Sequence, residues 1–103
     1  MSYDISIHAM RETQVFDTNY TYNVSGMFRK ALGGDGINDL HGKECKDCIK
    51  PLQDAVKHME ENPKEYEMLN PSNGWGNFAG AYKVMQELLQ SCIENPDGKI
   101  SIN

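Results

Sequence analysis

The chain has 103 residues, 39% of them hydrophobic and 24% charged, with a formal net charge of −5. That length suits one domain built around a single core. The ten Lys and Arg residues are dispersed along an acidic chain, which argues against the clustered cations of a nucleic-acid groove. No run approaches 18 apolar residues, so no membrane partner is expected.

Residues Tyr3, Ile5 and Ile7 alternate with Asp4, Ser6 and His8, the signature of a half-buried strand. A second strand is expected within residues 13–22, after a turn near Arg11-Glu12. Lys99-Ile100-Ser101-Ile102 repeats the alternation at the other end of the chain, and two short terminal strands are natural partners for each other. Asn23 reads as the N-cap of a short helix with Val24, Met27, Phe28 and Ala31 on its apolar face, stopped by Gly33-Gly34. Residues 34–39 read as a loop. Cys45, Cys48, Ile49, Leu52, Val56 and Met59 fall on one helical stripe between about residues 42 and 61. The stripe stays in phase across Pro51, which predicts one helix kinked there. Asn62-Pro63-Lys64-Glu65 has the form of a helix start, with Tyr66 and Leu69 expected to face inward. The clearest amphipathic pattern follows: Phe78, Ala81, Tyr82, Met85, Leu88, Leu89, Cys92 and Ile93, with Asn73 as the expected N-cap. Asn95-Pro96-Asp97-Gly98 then turns the chain into the last strand. The expected fold is α+β: three main helices and one short helix on a two- or three-stranded antiparallel sheet formed partly by both termini.

Cys45-Lys46-Asp47-Cys48 has the spacing of a redox pair or of half a zinc site. No strand precedes it and no second pair completes it, and all three cysteines lie on apolar stripes. Core packing of free thiols is therefore expected, with no metal and no cofactor. The odd cysteine count and an N-terminus without a basic or apolar leader favour a cytoplasmic protein. The three histidines form no ligand series, and no serine has a visible base and orienting partner, so no catalytic residue is assigned.

Two stretches carry more than their local structure requires. In Asn19-Tyr20-Thr21-Tyr22-Asn23 the phenols and the amides fall on opposite faces of an extended chain. The connection Asn70–Asn77 holds the one tryptophan, Trp75, between two glycines and near Asn73 and Asn77. A turn needs no indole: its ring is either buried against Tyr20 and Tyr22 or open to a partner. If the two stretches converge, Tyr20, Tyr22, Asn23, Asn73, Trp75 and Asn77 line an aromatic, amide-rich pocket that binds rather than reacts. Arg29 is the candidate contact to an anionic group, provided that it, Lys30 and Lys83 converge on the pocket.

Beyond these local readings, the chain resembles a group of small uncharacterised proteins encoded by bacteriophages and prophages. The likeness is carried by Asn19-Tyr20-Thr21-Tyr22-Asn23-Val24 with Met27-Phe28-Arg29-Lys30-Ala31, then by Gly36-Ile37-Asn38-Asp39-Leu40 with Gly42. Asn62-Pro63 with Tyr66, Leu69-Asn70-Pro71, Asn73-Gly74-Trp75-Gly76 and a helix ending in Cys92 complete it. It spans most of the chain and implies a phage accessory protein acting inside the infected bacterium. It supplies no catalytic residue. Two functions follow as expectations: a non-enzymatic anti-defence protein that sequesters a small nucleotide-like ligand, or an inhibitor of a host protein or minor virion component using Trp75, Phe78 and Tyr82 as an anchor. Either is compatible with a homo-oligomer.

Overall fold

The computed structural model describes residues 2–9 and 13–103; the turn expected at Arg11-Glu12 lies outside them. Strand β1 (Ser2–His8) is followed by β2 (Gln14–Thr21), helices α1 (Ser25–Leu32), α2 (Cys45–Glu61), α3 (Pro63–Glu67) and α4 (Phe78–Glu94), and strand β3 (Lys99–Ile102). Both partners of β1 are antiparallel, in the order β2-β1-β3. The α+β architecture with the termini side by side is therefore what the alternating terminal segments foretell.

The reason lies in the faces of the strands. Tyr3, Ile5, Ile7, Ile100 and Ile102 turn inward and are buried. Their neighbours Ser2, Asp4, Ser6, His8, Asp17 and Asn19 stay at least partly in water on the opposite face. Helices α2 and α4 cover the apolar side with Cys48, Leu52, Ala55, Met59, Ala81, Met85, Leu88 and Cys92, all 0% exposed. Burying each Leu, Ile or Met of these faces contributes roughly 1.5–3 kcal/mol and is the main term holding the layers together.

The outer edge of β3 is sealed by the segment before α2. Gly42 N–H donates to Ile100 O at 2.8 Å, Ile100 N–H to Lys43 O at 2.9 Å, and Cys45 N–H to Gly98 O at 2.8 Å. His41 completes the seal: its Nδ1 accepts from Ile102 N–H at 3.0 Å. The loop histidine is thus a side-chain substitute for a missing strand.

Several expectations are corrected. Asn23 does not cap α1; residues Tyr22–Val24 form a 3-10 turn capped by Thr21, whose Oγ1 accepts from Asn23 N–H at 3.3 Å. Residues 36–40 are a second 3-10 turn rather than open loop. Helix α2 does run as one helix through Pro51, as the in-phase stripe predicts, with the proline on its exposed side. The carbonyl deprived of a donor there, that of Asp47, lies on the same exposed side, where water can serve it. Asn62 stands at the start of α3 with Pro63 first in the helix, as expected, but its side chain closes α2, with Nδ2 donating to His58 O at 2.9 Å. Leu69 is 42% exposed, beyond the end of α3. On α4 the buried stripe includes Val84 and leaves Ile93 45% exposed.

Candidate functional site

The end of β2 and the connection between α3 and α4 do converge. Tyr20 is the bolt: its Oη accepts from Asn77 N–H at 3.1 Å and donates to Asn77 O at 3.4 Å. Three asparagines shape the connection from within. Asn70 Oδ1 accepts from Phe78 N–H at 2.8 Å, Asn73 Oδ1 from Trp75 N–H at 3.0 Å, and Asn77 Oδ1 from Gly80 N–H at 2.8 Å. Asn77, not Asn73, is the N-cap of α4, and Asn73 instead closes a small turn that presents the indole.

Gly76 explains how the two segments come so close. Its φ is +85°, a left-handed conformation that favours glycine, and a Cβ at this position would collide with Thr21 Cγ2 and lie 3.1 Å from Val24 Cγ1. The connection therefore lies directly on the last residue of β2. Trp75, one position earlier, is left with its side chain 69% exposed. The ring is not packed away against Tyr20 and Tyr22; it stands over open space.

That space is a cleft of about 640 Å³, lined by Ser2, Asn19, Tyr20, Thr21, Asn23, Trp75 and Gly76. Its lining has an indole, a phenol, two amides and two hydroxyls, and no carboxylate, histidine, lysine or arginine. Asn19 Nδ2 is engaged by Asp4 Oδ1 at 2.6 Å and Ser2 Oγ at 3.2 Å, which leaves its carbonyl oxygen as the free acceptor. The Asn23 amide, with no intramolecular side-chain bond among the described residues, offers both donor and acceptor.

Of the residues the sequence singles out, Tyr20, Asn23 and Trp75 line this cleft; Asn73 and Asn77 build its wall from behind. Tyr22 is elsewhere. The strand ends at Thr21, so the alternation breaks, and the Tyr22 ring packs edge-on against Tyr3 with centroids 4.3 Å apart. Arg29 does not reach the cleft. Lys30 pairs with Glu65 at 3.3 Å and lies 5.8 Å from the centre of the Tyr66 ring, while Lys83 pairs with Glu87 at 3.8 Å. The expected convergence of cations is absent from the lining. Ser2 carries no sequence signal as a site residue; it enters because β1 places it opposite Thr21.

The other chemistry-bearing residues serve packing. Cys45, Cys48 and Cys92 are free and 0% exposed, and burial pushes all three thiols up from their ordinary range. The neighbouring Cys45 thiol raises the Cys92 thiol further. No group of three His, Cys, Asp or Glu side chains among the described residues could hold a metal ion. His58 Nδ1 shares a 2.6 Å hydrogen bond with Tyr66 Oη, and Tyr66 in turn stacks on Phe78 with centroids 5.4 Å apart. No helix among the described residues is long and apolar enough to cross a membrane. Comparison with protein-family models, with curated proteins and with solved structures returned no match.

Proposed function

We propose that this protein is a non-enzymatic binder that sequesters a small nucleotide-like ligand by its base, serving a bacteriophage against its host's defences. The observation that carries the binding part is the Trp75 ring, 69% exposed beside an uncharged cleft of amides and hydroxyls. An indole held on a short turn stacks on any flat π-face, at about 1–3 kcal/mol per base. Asn19 Oδ1, the Asn23 amide and Thr21 stand where they could read the edge of a heterocycle. With no cation in the lining, phosphates would remain in solvent, so the base and sugar provide the affinity. The phage role rests on the resemblance of the motifs around Tyr20 and Trp75.

The lone tryptophan is its own reporter. Titrating intrinsic fluorescence with nucleosides, mononucleotides and cyclic nucleotides should give saturable quenching, and Trp75→Ala should weaken binding, followed by calorimetry, by about 5–150-fold. Mass spectrometry of small molecules retained from phage-infected cells would identify the ligand. No quenching at millimolar concentration, together with no retained molecule, would sink the reading.

A second reading is favoured by one specific observation. Met68, Leu69 and Trp75, on the same connection, are 85%, 42% and 69% exposed. Large exposed apolar side chains grouped on one segment mark protein contacts as well as ligand sites. The anchor of a host-protein inhibitor would then be these three, since Phe78 and Tyr82 are half-buried against Tyr66 and each other. Pull-down from host lysate, lost in a Met68→Ser/Trp75→Ala variant, would support it over the cleft.

A further inference from the structure

The two edges of the sheet are treated differently. The outer edge of β3 is capped by residues 41–45. The outer edge of β2 has no such cover among the described residues, and its backbone polarity can be worked out. Asp4 and Asn103 exchange both of their backbone hydrogen bonds, at 2.7 and 2.9 Å, so Asp4, Ser6 and His8 bond toward β3. By the alternation of an antiparallel ladder, Tyr3, Ile5 and Ile7 bond toward β2, to Tyr20, Thr18 and Phe16. The N–H and C=O groups of Asp17 and Asn19 and the N–H of Thr21 therefore point outward and meet no partner in turns, loops or side chains among the described residues, while the Thr21 C=O is taken up by the 3-10 turn that Thr21 caps. At eight residues β2 is longer than most strands, and it contains no Pro and no Lys, the usual devices that blunt a free edge. The one irregularity, between Ile7 and His8, falls at its far end.

We infer that two copies of this chain pair along β2, antiparallel about a two-fold axis at Thr18, joining their sheets into one six-stranded sheet. The occupant follows from the side chains that each register would oppose. With the axis at Thr18, Asp17 faces Asn19 of the second copy, so each carboxylate lies opposite a neutral side chain. On the inner face Phe16 meets Tyr20 of the second copy, an aromatic pair. Val15, 40% exposed, comes beside Thr21 and the exposed Trp75 of the second copy, because Gly76 seats that connection on Thr21. An axis at Asp17 would set two carboxylates directly opposite, which is destabilising. An axis at Asn19 would run Phe16 past the end of the partner strand, where the chain turns away at Tyr22. The Thr18 register also brings Val15 of the second copy to the rim of each cleft, so the dimer would complete a wall of the binding site.

The test uses the full-length protein. Light scattering with size-exclusion chromatography should show a dimer, and Thr18→Cys should form an intermolecular disulfide under mild oxidation. A residue on the axis of a non-hydrogen-bonded pair lies about 4.5 Å from its copy, Cα to Cα, at the short limit for such a bond. Asp17→Pro removes an outward N–H without breaking a bond to β1, and should weaken self-association at least about tenfold, as two lost ladder bonds require. Its far-UV circular dichroism should match the parent, which separates loss of pairing from loss of fold. A monomer at 0.1 mM (on the order of a typical assay concentration), cross-linking by Asp17→Cys or Asn19→Cys in preference to Thr18→Cys, or an Asp17→Pro variant that is folded and equally dimeric, would each overturn the inference.

Discussion

Glycine-to-alanine changes inside helices ordinarily stabilise, by up to about 1 kcal/mol. Gly80, in the first turn of α4, should do the opposite. A Cβ there would collide with Tyr20 Oη and stand 2.5 Å from its Cζ and 3.0 Å from its Cε1, so a rigid ring edge, not a flexible tip, is in the way. Tyr20 would have to swing away from Asn77, giving up two hydrogen bonds worth about 0.5–1.5 kcal/mol each in net terms. Residual crowding adds about 1–3 kcal/mol. After subtracting the helix gain, Gly80→Ala should cost roughly 3 kcal/mol, and the melting temperature should fall by about 10–20 °C for a domain of this size. Thermal and urea unfolding followed by far-UV circular dichroism would measure it. In a Tyr20→Ser background the obstacle is gone and the same change should become neutral or stabilising, the sign reversal of a coupled pair. If Gly80→Ala raises the melting temperature in the parent protein, Tyr20 is not bolted to the start of α4 and the wall of the cleft has been misassigned.

Tyr66 is held fully buried, and desolvation, reinforced by Glu65, pushes its phenol up from 10.0 to about 12. The unfolded chain therefore loses this proton first: the stabilisation is complete below pH 10 and is lost as pH rises from there through 12, on the order of 2–3 kcal/mol in total. Urea midpoints between pH 8 and 12 should show this decline, and Tyr66→Phe should flatten it. The buried thiols should resist a disulfide-exchange reagent in the native protein and all three should react within minutes in denaturant; EDTA should leave the melting temperature unchanged. Rapid native labelling of Cys45 or Cys48, or a chelator-induced drop, would contradict core packing. Asn77→Ala should cost about 1 kcal/mol through loss of the cap on Gly80 N–H. Asn73→Ala, which loosens only an exposed turn, should stay within about 0.5 kcal/mol of the parent, and equal losses in the two variants would refute the capping assignment.

The candidate site was half legible in the residue order. Trp75 and the Asn19–Asn23 stretch stand out because an indole and paired amides exceed what a turn or strand needs. Their meeting was not readable, since it depends on Gly76 lying against Thr21 and on Tyr20 reaching Asn77, contacts between residues more than fifty positions apart. Tyr22 was misread for a local reason: strand alternation was extended one residue too far, past the 3-10 turn that begins there. The choice between Asn73 and Asn77 as the cap of α4 was equally undecidable from sequence. Each has the same side chain, and which amide it finds depends on the path of the connection.

Periodicity determined the elements themselves. Alternation at the two ends and the three- and four-residue steps of α2 and α4 set which faces must be hidden from water, and so the α+β class, because burying apolar area is the largest and least directional term in folding. Tertiary structure alone decided what directional forces select: that His41 and the segment after it close one sheet edge while β2 keeps its N–H and C=O groups outward, that Arg29, Lys30 and Lys83 do not line the cleft, and that Trp75 is exposed beside it. Hydrogen bonds and close contacts of that kind depend on tenths of an ångström between distant residues, and a linear pattern contains no such distances.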